Sequence, residues 1–192
     1  MPNALTVRLP YSKTEFGVPA NLHVIGTMNT ADRSIALLDI ALRRRFTFHE
    51  LTPDVTVPEF VDAERRTGLP LGRILTTINE RIEYLVDREH RIGHAFFINC
   101  VTRADVGAVM RDKVIPLLQE YFFEDWSRIA AVVGPGFIGK RKLKPPPGIT
   151  GDDIDSWYVR PAFADDAYAS LLGGAEVVID ELAGDEAPQE GE

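Results

Sequence analysis

Gly26-Thr27-Met28-Asn29-Thr30-Ala31-Asp32-Arg33-Ser34, followed by Asp39-Ile40-Ala41-Leu42-Arg43-Arg44-Arg45-Phe46, is the stretch on which the fold turns. It opens inside Leu22-His23-Val24-Ile25-Gly26-Thr27-Met28, a compact apolar run of the kind that forms a strand covered on both faces. Asn29, Thr30 and Asp32 then supply capping side chains. Ser34 to Arg45 carries Ile35, Leu38 and Leu42 at helical spacing and reads as a short helix. Phe46-Thr47-Phe48-His49-Glu50-Leu51 alternates apolar and polar side chains as a second strand would, and Pro53 ends it. The expected unit is strand, tight turn, short helix, strand. Two strands make no stable sheet alone, so the remaining strands must come from elsewhere.

The chemistry of this stretch lies in an amide, a carboxylate and a guanidinium close together at a strand end, with three arginines one helix later. In phosphoryl transfer a protein mainly positions water and neutralises developing charge. An uncharged amide beside the attacking water and an arginine aimed at the γ-phosphate are therefore the useful groups. Ligands of open α/β sheets sit at the carboxyl ends of strands, where Asn29 falls. The plainer readings are that Asn29 and Asp32 simply cap a helix, and that Arg43 to Arg45 are a solvated helix end or a nucleic-acid contact.

Beyond Pro58 the pattern turns helical. Leu71, Ile74, Leu75, Ile78, Ile82, Leu85 and Val86 share one helix face, with Arg73, Asn79, Glu80, Arg81 and Glu83 opposite. A second helix is expected from about Asp105 to Phe123, opened by a capping-box pair of Thr102 and Asp105 and kinked at Pro116. Asp125 to Val133 begins as a helix and shades into a β-branched run. Lys140-Arg141-Lys142-Leu143-Lys144, before Pro145-Pro146-Pro147-Gly148, reads as an exposed basic loop or hairpin tip. Trp157-Tyr158-Val159-Arg160 is expected to be a strand pairing back onto Ala131 to Val133. The segment from about Asp180 onward is acidic and poor in aromatics, the composition of a disordered tail.

Of the 192 residues, 176–192 hold seven acidic and no basic side chains, which leaves residues 1–175 near neutral with 21 basic and 22 acidic groups. A neutral body offers no broad field for phosphate backbone, which argues against tight, direct nucleic-acid binding. One cysteine, Cys100, closes no internal disulfide and builds no thiolate metal site, so it reads as a small buried hydrophobe. His90 and His94 are four apart, but Gly93 weakens a helix between them and no third ligand is evident, so no metal site is expected. The absence of a long apolar segment or a secretion-type N-terminus implies a soluble, cytoplasmic chain that does not enter a membrane.

MNTADRS followed by ALRRRF resembles the sensor-1 and arginine-finger region of McrB-type AAA+ nucleotide hydrolases, motors of modified-cytosine restriction systems. The resemblance continues through LTTINERI (residues 75–82), IGHAFF (92–97) and IPLLQEYF (115–122), which look like that family's helical lid, and it covers roughly residues 10–135. It implies a fold of class α/β plus α: the end of a P-loop NTPase core, then a mostly helical lid with a small β-hairpin. The expected divisions are 1–53 for the end of the core, 54–135 for the lid, 136–179 for an irregular extension and 180–192 for the acidic tail.

Carried over by residue, the resemblance gives Asn29 the sensor-1 role of orienting water, with Asp32 and Arg33 completing that motif. Arg44 and Arg45 become fingers reaching a neighbouring subunit's nucleotide, and Asp39 pairs with Arg43 to hold the helix end. His94 lies in the lid, where it packs or senses nucleotide. The family also implies GTP or ATP with Mg²⁺, a hexameric ring and a nuclease partner of the McrC type, with DNA reached through the complex. The sequence contains no G-x-x-x-x-G-K-[ST] loop and no apolar strand ending in Asp-Glu, so the chain alone is expected to be catalytically silent. Rival readings are an interaction module that docks on an AAA+ ring and lends arginines, and part of a MoxR-like AAA+ chaperone.

Overall fold

The strongest periodic signal in the sequence forms the longest helix described in the structure, a computed structural model that describes residues 6–19, 21–28 and 44–173 and the backbone of 179–180. The chain divides into two units, Met1–Leu42 and Arg43–Glu192. In the first, β1 (Thr6–Arg8) and β2 (Glu15–Gly17) form an antiparallel hairpin in which Val7 faces Phe16. Its turn is closed by Leu9 N–H to the Thr14 carbonyl at 2.9 Å and by Arg8 Nε to the Lys13 carbonyl at 2.9 Å.

Residues 22–28, expected to be a buried strand, are neither helix nor strand, and Ile25 is 93% exposed. Residues 46–51 likewise form no strand, and Leu51 is 93% exposed. The physical reason is the one that limits any isolated strand: without a partner to take up its backbone groups and cover its side chains, an apolar run has nothing to pair with. No partner strand is paired with either run among the described residues.

The second unit is a set of helices on which a small sheet is mounted. Helix α1 (Pro58–Thr67) starts with proline in its first turn and ends at Gly68, whose φ of 64° is the left-handed conformation that closes a helix at little cost to glycine. Helix α2 (Leu71–Leu85) has Pro70 at its N-cap and so lacks a side-chain cap of its own. Glu64 of α1 takes over, its Oε2 accepting the Gly72 N–H at 2.7 Å. The apolar face of α2, with Ile74, Leu75, Ile78 and Ile82 at 1% exposure or less, is the middle of the core.

Two short 3₁₀ turns, Arg88–His90 and His94–Phe96, lead to α3 (Arg103–Val109). The capping box is present in full: Thr102 Oγ1 accepts the Asp105 N–H, and Asp105 accepts the Thr102 N–H at 2.7 Å. The kink foreseen at Pro116 is realised as a wide π turn, Met110–Val114, before α4 (Ile115–Tyr121). Proline donates no N–H and would press on the carbonyl of Asp112 in a regular helix. The Ile115 N–H reaches five residues back to Met110 instead, which loosens the turn that the ring would otherwise strain.

Helix α5 (Trp126–Val133) is capped by Asp125, which accepts the N–H groups of Ser127 and Arg128. Its β-branched end stays helical because Val132 and Val133 are fully buried, and packing outweighs their strand preference. The basic run expected to be a loop is instead strand β3 (Ile138–Leu143), paired antiparallel with β4 (Ile154–Val159). Trp157 therefore pairs with Lys140, not with the 131–133 region, which α5 occupies. Cross-strand partners absorb the charge: Lys140 Nζ lies 2.8 Å from Asp155 and 5.1 Å from the Trp157 ring centroid.

Helix α6 (Asp165–Gly173) follows, and β5 (Ile179–Asp180) adds a parallel strand beside β3. Residues beyond Asp180, the expected acidic tail, lie outside the described residues. None of the described helices is long and apolar enough to cross a membrane.

Gly136 lies against α6, and a Cβ added there would meet the Ala167 Cα at 2.3 Å. Because backbone cannot be moved aside as a flexible side chain can, Gly136→Ala is expected to lower the unfolding free energy by about 1–3 kcal/mol in urea titration. A second expectation concerns acid. Hydrogen bonds from the backbone of Thr102 and Val101 hold the Asp105 carboxyl below its ordinary value of 3.8. A depressed pKa contributes stability that is present above the unfolded-state value and lost as pH falls through the folded-state value. The thermal midpoint should therefore fall as pH drops below about 4, and Asp105→Asn should be less stable at neutral pH but show a shallower acid slope.

Candidate functional site

Asn29, Asp32 and Arg33, together with Asp39 and Arg43, lie outside the described residues. Arg44 and Arg45 stand in an exposed turn rather than within a helix, and Phe46, also exposed, forms the bend that follows. From there to Val57 the chain is neither helix nor strand. This connecting segment is tied to the helical body through its polar groups and through Val55 and Val57, which pack against the core.

The ties converge on the loop that follows α2. Glu50 accepts from Arg88 through Oε2 and from Arg91 through Oε1, the latter at 3.3 Å. Arg91 also approaches Glu83 of α2 at 4.0 Å. The pairing with Glu50 raises the Arg88 pKa, so the guanidinium is held in its charged form. Four residues on, the Asp54 N–H donates to His94 Nδ1 at 3.0 Å, while the Asp54 carboxylate accepts from Thr56 N and Thr56 Oγ1 at 2.7 Å each. Thr56 in turn lowers the Asp54 pKa.

The loop itself is fixed from beneath. Asn79, only 7% exposed, donates Nδ2 to the Ile92 carbonyl at 3.0 Å and accepts the Ile92 N–H at 2.7 Å through Oδ1. A side-chain amide thus reads both backbone groups of one residue, as a strand partner would. His90 is placed by Asp87, 2.6 Å from its Nδ1, and by the Tyr121 ring, 4.7 Å away edge-on. The two histidines therefore serve separate contacts. Among the described residues no group of three His, Cys, Asp or Glu could hold a metal ion.

An open depression of about 200 Å³ lies over this region, lined among others by Val55, Thr76, Asn79, Glu83 and Arg91. Three carboxylates, those of Glu50, Glu83 and Glu89, stand around the two guanidiniums of Arg88 and Arg91, so the local charge is net negative and does not attract phosphate. Arg44 and Arg45 are both exposed. The described residues supply neither a phosphate-cradling loop nor a carboxylate set for Mg²⁺. Cys100 is 2% exposed, and burial pushes its thiol pKa up, consistent with an inert packing role.

Sequence reasoning placed Asn79 and Arg81 on the solvent side of α2. Both face structure instead: Arg81 donates to the Val132 carbonyl at 2.8 Å and to the Leu171 carbonyl at 2.6 Å. Their signal was faint, namely an amide and a guanidinium flanking the strongest apolar stripe in the chain. Glu50, Arg88 and Arg91 were also missed, since their pairing spans 38 and 41 residues and leaves no local pattern.

The geometry is a set of short helices with a small sheet, preceded by an arginine-bearing connector. Residues 70–130 match the family model described as McrB, alpha-helical lid domain. The chain is also 36% identical over 138 residues to the type IV methyl-directed restriction enzyme EcoKMcrB subunit of Escherichia coli (strain K12). That alignment takes in 62% of this chain and 30% of the relative, so the chain matches under a third of the relative's length.

Replacing Asn79 with alanine would strip both partners from Ile92, itself 1% exposed. A loss of about 2–4 kcal/mol in urea unfolding is expected, with Asn79→Asp intermediate because it keeps the acceptor. An unfolding midpoint unchanged in Asn79→Ala would show that the loop is held by something else.

Proposed function

We propose that this chain is part of an AAA+ motor subunit of the McrB type, in which the lid works with an NTP-hydrolysing core. The observation that carries this reading is the conjunction of a matched McrB lid over residues 70–130 with MNTADRS and ALRRRF ahead of it in the same chain. Either alone is weak; their order and spacing together are specific. The 36% identity to a subunit named for methyl-directed restriction supports a place in a modified-DNA restriction system.

In this reading Asn29 orients the attacking water against the γ-phosphate, with Asp32 and Arg33 setting its position. Arg44 and Arg45 reach the nucleotide of the adjacent subunit, which suits their exposure on a turn. The nucleotide is GTP or ATP with Mg²⁺, held by phosphate-binding elements that the sequence does not contain. A ring of such subunits, hexameric by the family resemblance, and a nuclease subunit of the McrC type complete the assembly. The Arg44 and Arg45 guanidiniums neutralise charge as it develops on the transferring phosphoryl group, and need no proton chemistry to do so.

The test uses the chain joined to a phosphate-binding core and assembled. Asn29→Ala, and Arg44→Ala with Arg45→Ala, should each lower Mg²⁺-dependent turnover by about 10²-fold or more. Mixing the two variants should restore part of the activity, because a site with an intact Asn29 in one subunit can then meet intact arginines from its neighbour. Unchanged turnover in both variants would remove the assignment, and failure of the mixture to recover would remove the role in trans.

A further inference from the structure

The connector between Arg45 and α1 is neither helix nor strand, yet it bears the two arginines whose aim matters in the reading above. We propose that Glu50 is a positioning residue: by holding Arg88 and Arg91 together, it locks this connector to the loop after α2, so that Arg44 and Arg45 are aimed by the lid. The inference rests on the proposed motor function and names the part of the chain that couples lid to arginines.

The contact set has the form such coupling requires. One carboxylate receives two guanidiniums from residues three apart, each oxygen taking one, so its plane is fixed and not merely its distance. Arg91 is fixed in turn by its own Nε donating to the Arg88 carbonyl at 2.9 Å. A second point, Asp54 N–H to His94 Nδ1, follows four residues later and prevents rotation about the first. Both points land on the loop that Asn79 bolts to α2 through the Ile92 backbone. The path from helix core to connector therefore contains hydrogen-bonded steps at each stage, and Glu50 lies five residues from Arg45.

Stability is not what Glu50 supplies. Its side chain is 52% exposed and that of Arg88 55%, where ion pairs contribute little to folding. The net value of the pair lies in orientation: removing it should leave the fold intact and loosen the direction of the connector.

Two measurements test this. On the chain itself, spin labels at Thr47→Cys and Tyr84→Cys, both exposed, report connector against α2, since Cys100 is buried. A narrow distance distribution is expected, broadened by Glu50→Gln with unchanged urea unfolding. In the assembled motor, Glu50→Gln should lower kcat about tenfold with KM unchanged. An unbroadened distribution, or broadening with unchanged kcat, overturns the inference. If Arg44→Ala with Arg45→Ala lowers turnover but Glu50→Gln does not, the positioning role falls and the motor reading stands. If the arginine variant has no effect either, the motor reading falls first.

Discussion

A half-buried guanidinium, that of Arg81, joins the ends of two helices to the flank of a third. It donates to the Val132 carbonyl in the last turn of α5 and to the Leu171 carbonyl near the end of α6. The last carbonyls of a helix have no partner within it and carry the negative end of its dipole, so a cation is the group they favour most. Burial pulls the Arg81 pKa down, and a guanidinium remains charged at neutral pH. The apolar stripe of α2 brings α5 and α6 close, but hydrophobic contact is non-directional and would tolerate sliding. Arg81 sets the stopping point.

Asn79, two residues earlier on the same helix, applies the same logic to the loop that follows. Its amide satisfies both backbone groups of Ile92, a residue too buried to be served by water. The polar flank of α2 thus organises three neighbours: α5, α6 and the loop bearing Arg88, Arg91 and His94. A helix with only its apolar face in order would give a core without a defined surface.

How much of this could be read from residues depends on the range of the interactions. The apolar face of α2, the Thr102 and Asp105 capping box and the disturbance around Pro116 are short-range and were legible. The hairpin of Thr6–Arg8 and Glu15–Gly17 is not legible, since three-residue strands with every side chain exposed carry almost no pattern. The basic strand β3 was taken for a loop because its charge suggested solvent, whereas its place is set by partners such as Asp155 and Trp157, more than a dozen residues away. The apolar runs at 22–28 and 46–51 show the converse error: composition fit for a strand is not a strand until a neighbour accepts its hydrogen bonds. In the candidate site Arg44 and Arg45 were visible as cations, but Glu50, Arg88 and Arg91 acquire meaning only when folding brings them together.

The division of labour between lid and connector follows from where the hydrogen bonds are. The helical body closes its backbone in helices, caps and a sheet, and buries a core that includes Phe60 and Leu171. The connector from Phe46 to Val57 has no ladder of its own and borrows its order from side chains of the lid. A segment held in that way moves with whatever holds it, while remaining free to release at modest cost because the Glu50 and Arg88 side chains are about half exposed and their pairing is screened by salt. Rigid attachment through a buried network would give a firmer aim but no means of resetting it. Exposed carboxylate and guanidinium groups, fixed in plane by two bonds and backed by a buried amide, combine direction with reversibility.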